Sequence, residues 1–252
     1  MGTMLPVLIL LPGMDGTGEL FEPLLRILPS EIRTIVVRYP NRPQKFASLR
    51  TTIKEALPGN SSYVLLGESF SGRLAVSIAA GHPPGLVGYI LVASFLRCPS
   101  VLLRGFPFIA RMYMRAAIPR LAIRNRLLGR FSTPSLMAAL DRALDQVSDA
   151  TMRSRLQNLA DADVVGDFSR VQLPGLYLRA DEDRIVPAST GDALVASGTN
   201  LRVESISAPH MLLQAAPAQA AKIIFEFLAQ VGPRQEQRNC GISGFPESVV
   251  SQ

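Results

Sequence analysis

Ser69 is the residue in this sequence best placed to act as a nucleophile. It sits in Gly67-Glu68-Ser69-Phe70-Ser71-Gly72, directly after the apolar run Val64-Leu65-Leu66 and before an Ala-rich helical pattern. A strand, a tight turn and a helix in that order make a nucleophile elbow, where a strained backbone lifts the serine hydroxyl toward a substrate. Such a turn admits only small residues two positions before and two after its apex. Gly67 and Ser71 satisfy this around Ser69, whereas Arg73 would occupy one of those positions around Ser71. Alone, the motif is equally an ordinary Gly/Ser turn. The rest of the chain must supply a base, an acid to orient it, and donors for an oxyanion.

A serine hydroxyl at its own pKa is a weak nucleophile and needs a positioned base. The chain has two histidines, His82 and His210. His82 lies in Gly81-His82-Pro83-Pro84, after the helix that follows the elbow, at the end of the sheet away from Ser69. His210 follows the last strand, at the carboxyl edge where open parallel sheets bind ligands, and is assigned as the base. The imidazole needs a carboxylate to fix its tautomer. Asp181 and Asp183 both follow the strand ending at Ala180. Asp183 lies further into the loop, where it can reach His210, and is preferred over Asp181; the bland reading of either is an Asx turn or helix cap. A tetrahedral intermediate needs amide donors. The N–H of Phe70, just after the serine, is one. The N–H of Met14, in the loop Pro12-Gly13-Met14-Asp15-Gly16-Thr17-Gly18, is the second. A carboxylate facing an oxyanion would oppose it, so Asp15 is read as an acceptor for local amides.

The elements that must position these groups alternate strand and helix. Pro6–Leu11, Thr34–Val37, Tyr63–Leu66, Gly88–Ala93 and Gly175–Ala180 are short apolar runs, and Leu201–Ile206 alternates enough for an edge strand. Continuous apolarity marks strands buried on both faces, as in a parallel sheet. Helices are expected at Glu19–Leu28, Phe46–Leu57, Gly72–Ala80, Ser189–Ala196 and Pro217–Gln230. The expected fold class is α/β, a mostly parallel sheet of about six strands flanked by helices with right-handed crossovers. From Phe95 to Asp161 the strand signal vanishes and helical patterns rich in Arg, Leu, Met and Ala replace it. The expected organisation is a core of residues 4–95 and 162–232, a helical cap over 96–161, and a poorly ordered tail over 233–252.

With 48% apolar and 18% charged residues the composition is globular. The net charge is +6, carried mostly by arginine, with lysine only at Lys45, Lys54 and Lys222. No nucleic-acid motif accompanies it, so no nucleic-acid partner is expected. Arg104, Arg111 and Arg115 share one helical face, and Arg120/Arg124 and Arg126/Arg130 repeat a four-residue spacing. The bland reading is a solvated face; the sharper one is attraction to anionic lipid or an acidic substrate. Phe106, Phe108, Ile109, Met112 and Met114 are expected to pack the cap and line a pocket. Cys98 and Cys240 form neither a disulfide framework nor a metal spacing, and a reducing, cytoplasmic setting is expected. Leu5–Leu11 has no basic region before it, so it is read as a strand and not as a signal peptide.

With these residues in place the chain resembles the α/β-hydrolases. The elbow, the Pro12–Gly18 loop, the Asp183-Arg184-Ile185-Val186-Pro187 segment and the order Ser69, Asp183, His210 sit where that family has them. So does a cap between the strands at Gly88–Ala93 and Gly175–Ala180. The resemblance covers Val7 to Leu228. Pro12-Gly13 stands where His-Gly is frequent, Ser71 replaces the last glycine of Gly-x-Ser-x-Gly, and the pattern starts at the oxyanion strand without an earlier antiparallel pair. The resemblance implies acyl transfer to water through an acyl-enzyme, with no cofactor and no metal. The leading expectation is a carboxylesterase acting on small or medium apolar acyl esters. Thioesterase and carbon–carbon bond hydrolase chemistry share the same triad, and a non-catalytic ligand-binding module is the alternative of a different class.

Overall fold

The structure is a computed structural model that describes residues 5–97, 120–197 and 200–232. Its centre is a sheet of β1 (Val7–Leu11), β2 (Thr34–Val36), β3 (Tyr63–Glu68), β4 (Leu86–Val92), β5 (Gly175–Ala180) and β6 (Leu201–Ile206). The strands run in the order β2-β1-β3-β4-β5-β6, and every neighbouring pair is parallel. This is the expected six-stranded α/β architecture. The chain builds outward from β1 to β2 on one side and from β3 to β6 on the other. The switch point therefore lies between β1 and β3, where Leu11 pairs with Gly67.

The continuous apolar runs have a direct cause. Successive side chains of a strand point to opposite faces. Val7, Ile9 and Leu11 join one core layer with Leu65, Leu74, Ile78 and Leu91. Leu8 and Leu10 join the other with Leu66, Val92, Leu178, Ile224 and Phe227. The first layer is covered by α2 (Phe46–Glu55) and α3 (Gly72–Ala79). The second is covered by α1 (Glu22–Leu25), α9 (Leu212–Ala215) and α10 (Pro217–Val231). The helix expected at Glu19–Leu28 is instead a 3-10 turn at Glu19–Phe21 followed by the single α turn of α1. Pro23 has no N–H to bond back to Glu19, so the helix restarts there. Phe21 and Leu24 still reach the core.

Between β4 and β5 the described chain is helical: α4 (Arg120–Leu128), α5 (Pro134–Asp145), α6 (Asp149–Asp161) and α7 (Val165–Phe168), with α8 (Ala188–Ser197) following β5. Thr133 and Ser148 cap α5 and α6 by accepting from the N–H groups of Leu136 and Thr151. The segment leaves and returns at one place. Val164 N–H donates to the Leu96 carbonyl at 3.1 Å, and Arg97 pairs with Asp163 at 2.9 Å. Three arginines described here are engaged with the protein: Arg124 pairs with Asp141, Arg126 donates to the Arg184 carbonyl and Arg130 pairs with Glu182. Arg104, Arg111, Arg115, the apolar residues from Phe106 to Met114, both cysteines and the tail after Gly232 lie outside the described residues. Among the described residues, no helix is long and apolar enough to cross a membrane.

The sheet is packed tightly enough for one methyl group to matter. A Cβ at Gly175 would lie 2.4 Å from Tyr89 Cζ and 2.8 Å from Leu201 Cδ1, whereas one at Gly59 would meet nothing within 4 Å. Gly175→Ala should lower stability by about 1–3 kcal/mol in urea titration, and Gly59→Ala should stay within about 0.5 kcal/mol. Equal midpoints for the two variants would contradict this packing.

Candidate active site

The elbow forms because β3 ends at Glu68, directly before Ser69, which has φ 49. A positive φ at a residue with a side chain is strained by about 1–3 kcal/mol and persists only where the surroundings hold it. The surroundings here are specific. A Cβ at Gly67 would come within 2.6 Å of the Ser71 carbonyl, so glycine is required. Ser94 Oγ donates to the Ser69 carbonyl at 2.7 Å. Ser71 is fully buried, donates to the Pro12 carbonyl and accepts from the Tyr39 hydroxyl at 2.7 Å. Ser71 is thus more than a small residue: its hydroxyl ties the elbow to the loop after β1. Burial raises the Tyr39 pKa, so the phenol keeps the proton it donates.

The structure brings Ser69, His210 and Asp183 together. His210 follows β6 and is 6% exposed. Its Nε2 lies 2.9 Å from Ser69 Oγ and its Nδ1 lies 2.8 Å from Asp183 Oδ2. An ionised carboxylate only accepts, so Nδ1–H donates to Asp183 and Nε2 is free to accept the serine proton. The other Asp183 oxygen accepts from the N–H groups of Ile185 at 2.7 Å and Val186 at 2.9 Å, which fixes the carboxylate plane. Asp181 does not join: its side chain is 46% exposed and sits 3.6 Å from Arg179. His82 is exposed in the turn before β4, at the opposite edge of the sheet.

Met14 and Phe70 lie in the loop after β1 and in the turn after Ser69. Among the described residues, the Met14 N–H has no backbone acceptor. Asp15 braces the loop, accepting from Thr17 N–H at 2.9 Å and Thr17 Oγ1 at 2.6 Å. Arg155, on α6, donates to the carbonyls of Met14 and Asp15. Sequence reasoning does not single it out, although it falls on the same face of α6 as Met152 and Leu159, both buried. An arginine inside an apolar stripe is the available signal. Among the described residues, no cluster of three or more His, Cys, Asp or Glu side chains is placed to hold a metal ion.

Residues 8–223 match the model of the alpha/beta hydrolase family. The chain belongs to that family. No curated protein sequence matches it. Solved structures similar to it include an esterase from Exiguobacterium antarcticum, 14% identical, covering 91% of this chain and 93% of that one, with a TM-score of 0.79. A thermophilic esterase from Thermogutta terrifontis is 19% identical over 92% of both chains, with a TM-score of 0.79. An enol-lactonase from Burkholderia xenovorans is 16% identical over 89% of this chain and 92% of that one, with a TM-score of 0.78. At such identities the likeness is one of fold.

One acidic group in this α/β hydrolase sits where the sequence pattern pointed to no function. Glu68 ends β3 beside Ser69, is 6% exposed, and accepts from Gln214 Nε2 at 2.9 Å. Burial, with a smaller contribution from the charge of Asp15, pushes its pKa up to about 7; the Gln214 hydrogen bond and His210 act the other way. The folded state therefore holds this proton more tightly than the unfolded chain. Its stabilising contribution is complete below the unfolded value and is lost as pH rises through about 7. Between pH 5 and 8 the wild-type chain should lose stability relative to Glu68→Gln, on the order of 1–3 kcal/mol. Urea midpoints that run parallel across that range would contradict a buried, protonated Glu68.

Proposed function

We propose that this chain is a serine hydrolase that cleaves carboxylic esters of small or medium apolar acyl groups through an acyl-enzyme. The observation that carries this is His210, within hydrogen-bond distance of Ser69 on one ring nitrogen and of Asp183 on the other. Ser69 Oγ attacks the ester carbonyl carbon as its proton passes to His210 Nε2. Asp183 holds the imidazole in the tautomer that can accept, and stabilises the imidazolium. The carbonyl oxygen takes up the negative charge and is met by the N–H groups of Met14 and Phe70. The intermediate collapses to the acyl-enzyme, and His210 gives its proton to the departing alkoxide. Water then attacks the acyl carbon while His210 takes a proton from it. The second intermediate returns the serine hydroxyl and releases the acid. Hydrolase membership supports the general chemistry. Two of the similar folds are esterases, which favours oxygen esters among the substrates this triad can attack.

A chain-length series of p-nitrophenyl esters, run beside acyl-CoA thioesters, tests both the activity and the substrate class. Turnover is expected to favour short and medium oxygen esters. Ser69→Ala should reduce kcat by about 10⁴-fold or more with the fold intact. Asp183→Asn should cost about 10³–10⁴-fold, and Asp181→Asn less than about threefold. Full activity in Ser69→Ala, or a larger loss at Asp181 than at Asp183, would contradict these roles.

A further inference from the structure

Helix α6 has one side chain that reaches the loop after β1. Arg155 is 3% exposed. Its Nη1 donates to the carbonyls of Met14 at 2.9 Å and Asp15 at 2.5 Å, and its Nη2 donates to that of Pro40 at 3.2 Å. Gly16 makes room for this fork. It has φ +67, and a Cβ there would lie 2.6 Å from Nη1.

The contacts hold the two peptide planes that follow the one that matters. The Met14 N–H shares a rigid plane with the Gly13 carbonyl. That carbonyl accepts from Gly16 N–H at 3.1 Å, closing a turn over Gly13–Gly16. The next two carbonyls, of Met14 and Asp15, are the ones Arg155 binds. Three consecutive carbonyls are thus fixed, and with them the direction of the Met14 N–H. The other end of α6 is anchored too. Arg73, fully buried on α3, donates to the carbonyls of Leu159 at 2.9 Å and Ala162 at 2.8 Å. Its guanidinium lies 5.9 Å from the ring centre of Phe70. Two arginines, Arg155 and Arg73, therefore link α6 to Met14 and to Phe70, the residues of the two candidate oxyanion donors.

We propose that Arg155 is a positioning residue that holds the Gly13–Gly16 turn so that the Met14 N–H faces the carbonyl attacked by Ser69. Helix α6 is then a fixed part of the site and not a moving cover. This rests on the roles given to Ser69 and Met14 under the proposed function. Arg155 touches no reacting atom. Its loss disturbs the stabilisation of the oxyanion and leaves ground-state binding largely as it was.

Two measurements on the whole 252-residue chain test this, with Arg155→Met and Arg155→Lys. The first is hydrogen–deuterium exchange of the peptide covering Pro12–Gly18, which needs no substrate. Exchange there should rise about tenfold or more in Arg155→Met. The second is p-nitrophenyl butyrate kinetics. The expectation is a kcat lower by about 10–100-fold with KM within about twofold, since complete removal of an oxyanion donor costs about 10²–10³-fold. Arg155→Lys, which keeps the charge without the fork, should fall between. Wild-type exchange in the loop of either folded variant would overturn the proposal, as would an unchanged kcat or a loss confined to KM. If Arg155→Met does not fold, Arg155→Lys decides by the same two readouts. If the wild-type chain cleaves no ester, the esterase assignment fails, and loop exchange alone decides the role of Arg155.

Discussion

Everything at the candidate site depends on the backbone of Ser69 being held at φ 49. An isolated chain would relax from that conformation. Here the parallel pairing of β1 and β3 brings Pro12 alongside the elbow, and Ser71 bonds to it. Ser94, just past the end of β4, bonds the Ser69 carbonyl from the other side. The strain is thus opposed by both neighbouring strands, and the held turn gives the serine hydroxyl its direction. That direction leads to His210, which arrives from β6 at the same edge. The sheet does the positioning, because parallel strands bring all their carboxyl ends together.

The helical connection between β4 and β5 supports this edge at two places. On one side, Leu128 of α4 and Leu140 of α5 pack on Met211, the residue after His210. Met211 N–H also donates to the Leu127 carbonyl at 3.2 Å. On the other side, α6 sends Arg155 into the loop after β1. The buried charges near the edge are matched. Asp15 lies beside Arg155, and burial raises the pKa of Glu68 to about 7, which lowers the negative charge it places in the region relative to an ordinary carboxylate. A surplus of buried carboxylate charge there would oppose a developing oxyanion.

The strands and the grouping of Ser69, Asp183 and His210 were legible because both follow from periodicity and chain order. Continuous apolar runs at Val7–Leu11 and Tyr63–Leu66 meant a sheet covered on both faces. Loops after β1, β3, β5 and β6 then had to share one edge. Depth in the loop favours Asp183 over Asp181, and it is Asp183 whose Oδ2 lies 2.8 Å from His210 Nδ1. What was hidden were the buried polar contacts. The hydroxyl of Ser71 reaches Pro12 and Tyr39, and Arg155 reaches Met14 across 141 positions of sequence. No local pattern encodes such a partner. Glu68 left a weak trace, as an acid ending a buried strand. The spacing of Phe21, Leu24, Leu25 and Leu28 implies one continuous helix after Gly18, but Pro23 breaks it into a 3-10 turn and a single α turn.

The most direct test of the elbow as a nucleophile is reaction of the folded chain with a fluorophosphonate, followed by peptide mapping. A phosphonyl adduct is expected on Ser69 alone, and heat-unfolded protein should acquire none, because the reactivity comes from the held turn and from His210. An unlabelled folded protein, or an adduct on Ser71 in its place, would contradict the assignment of Ser69 as the nucleophile.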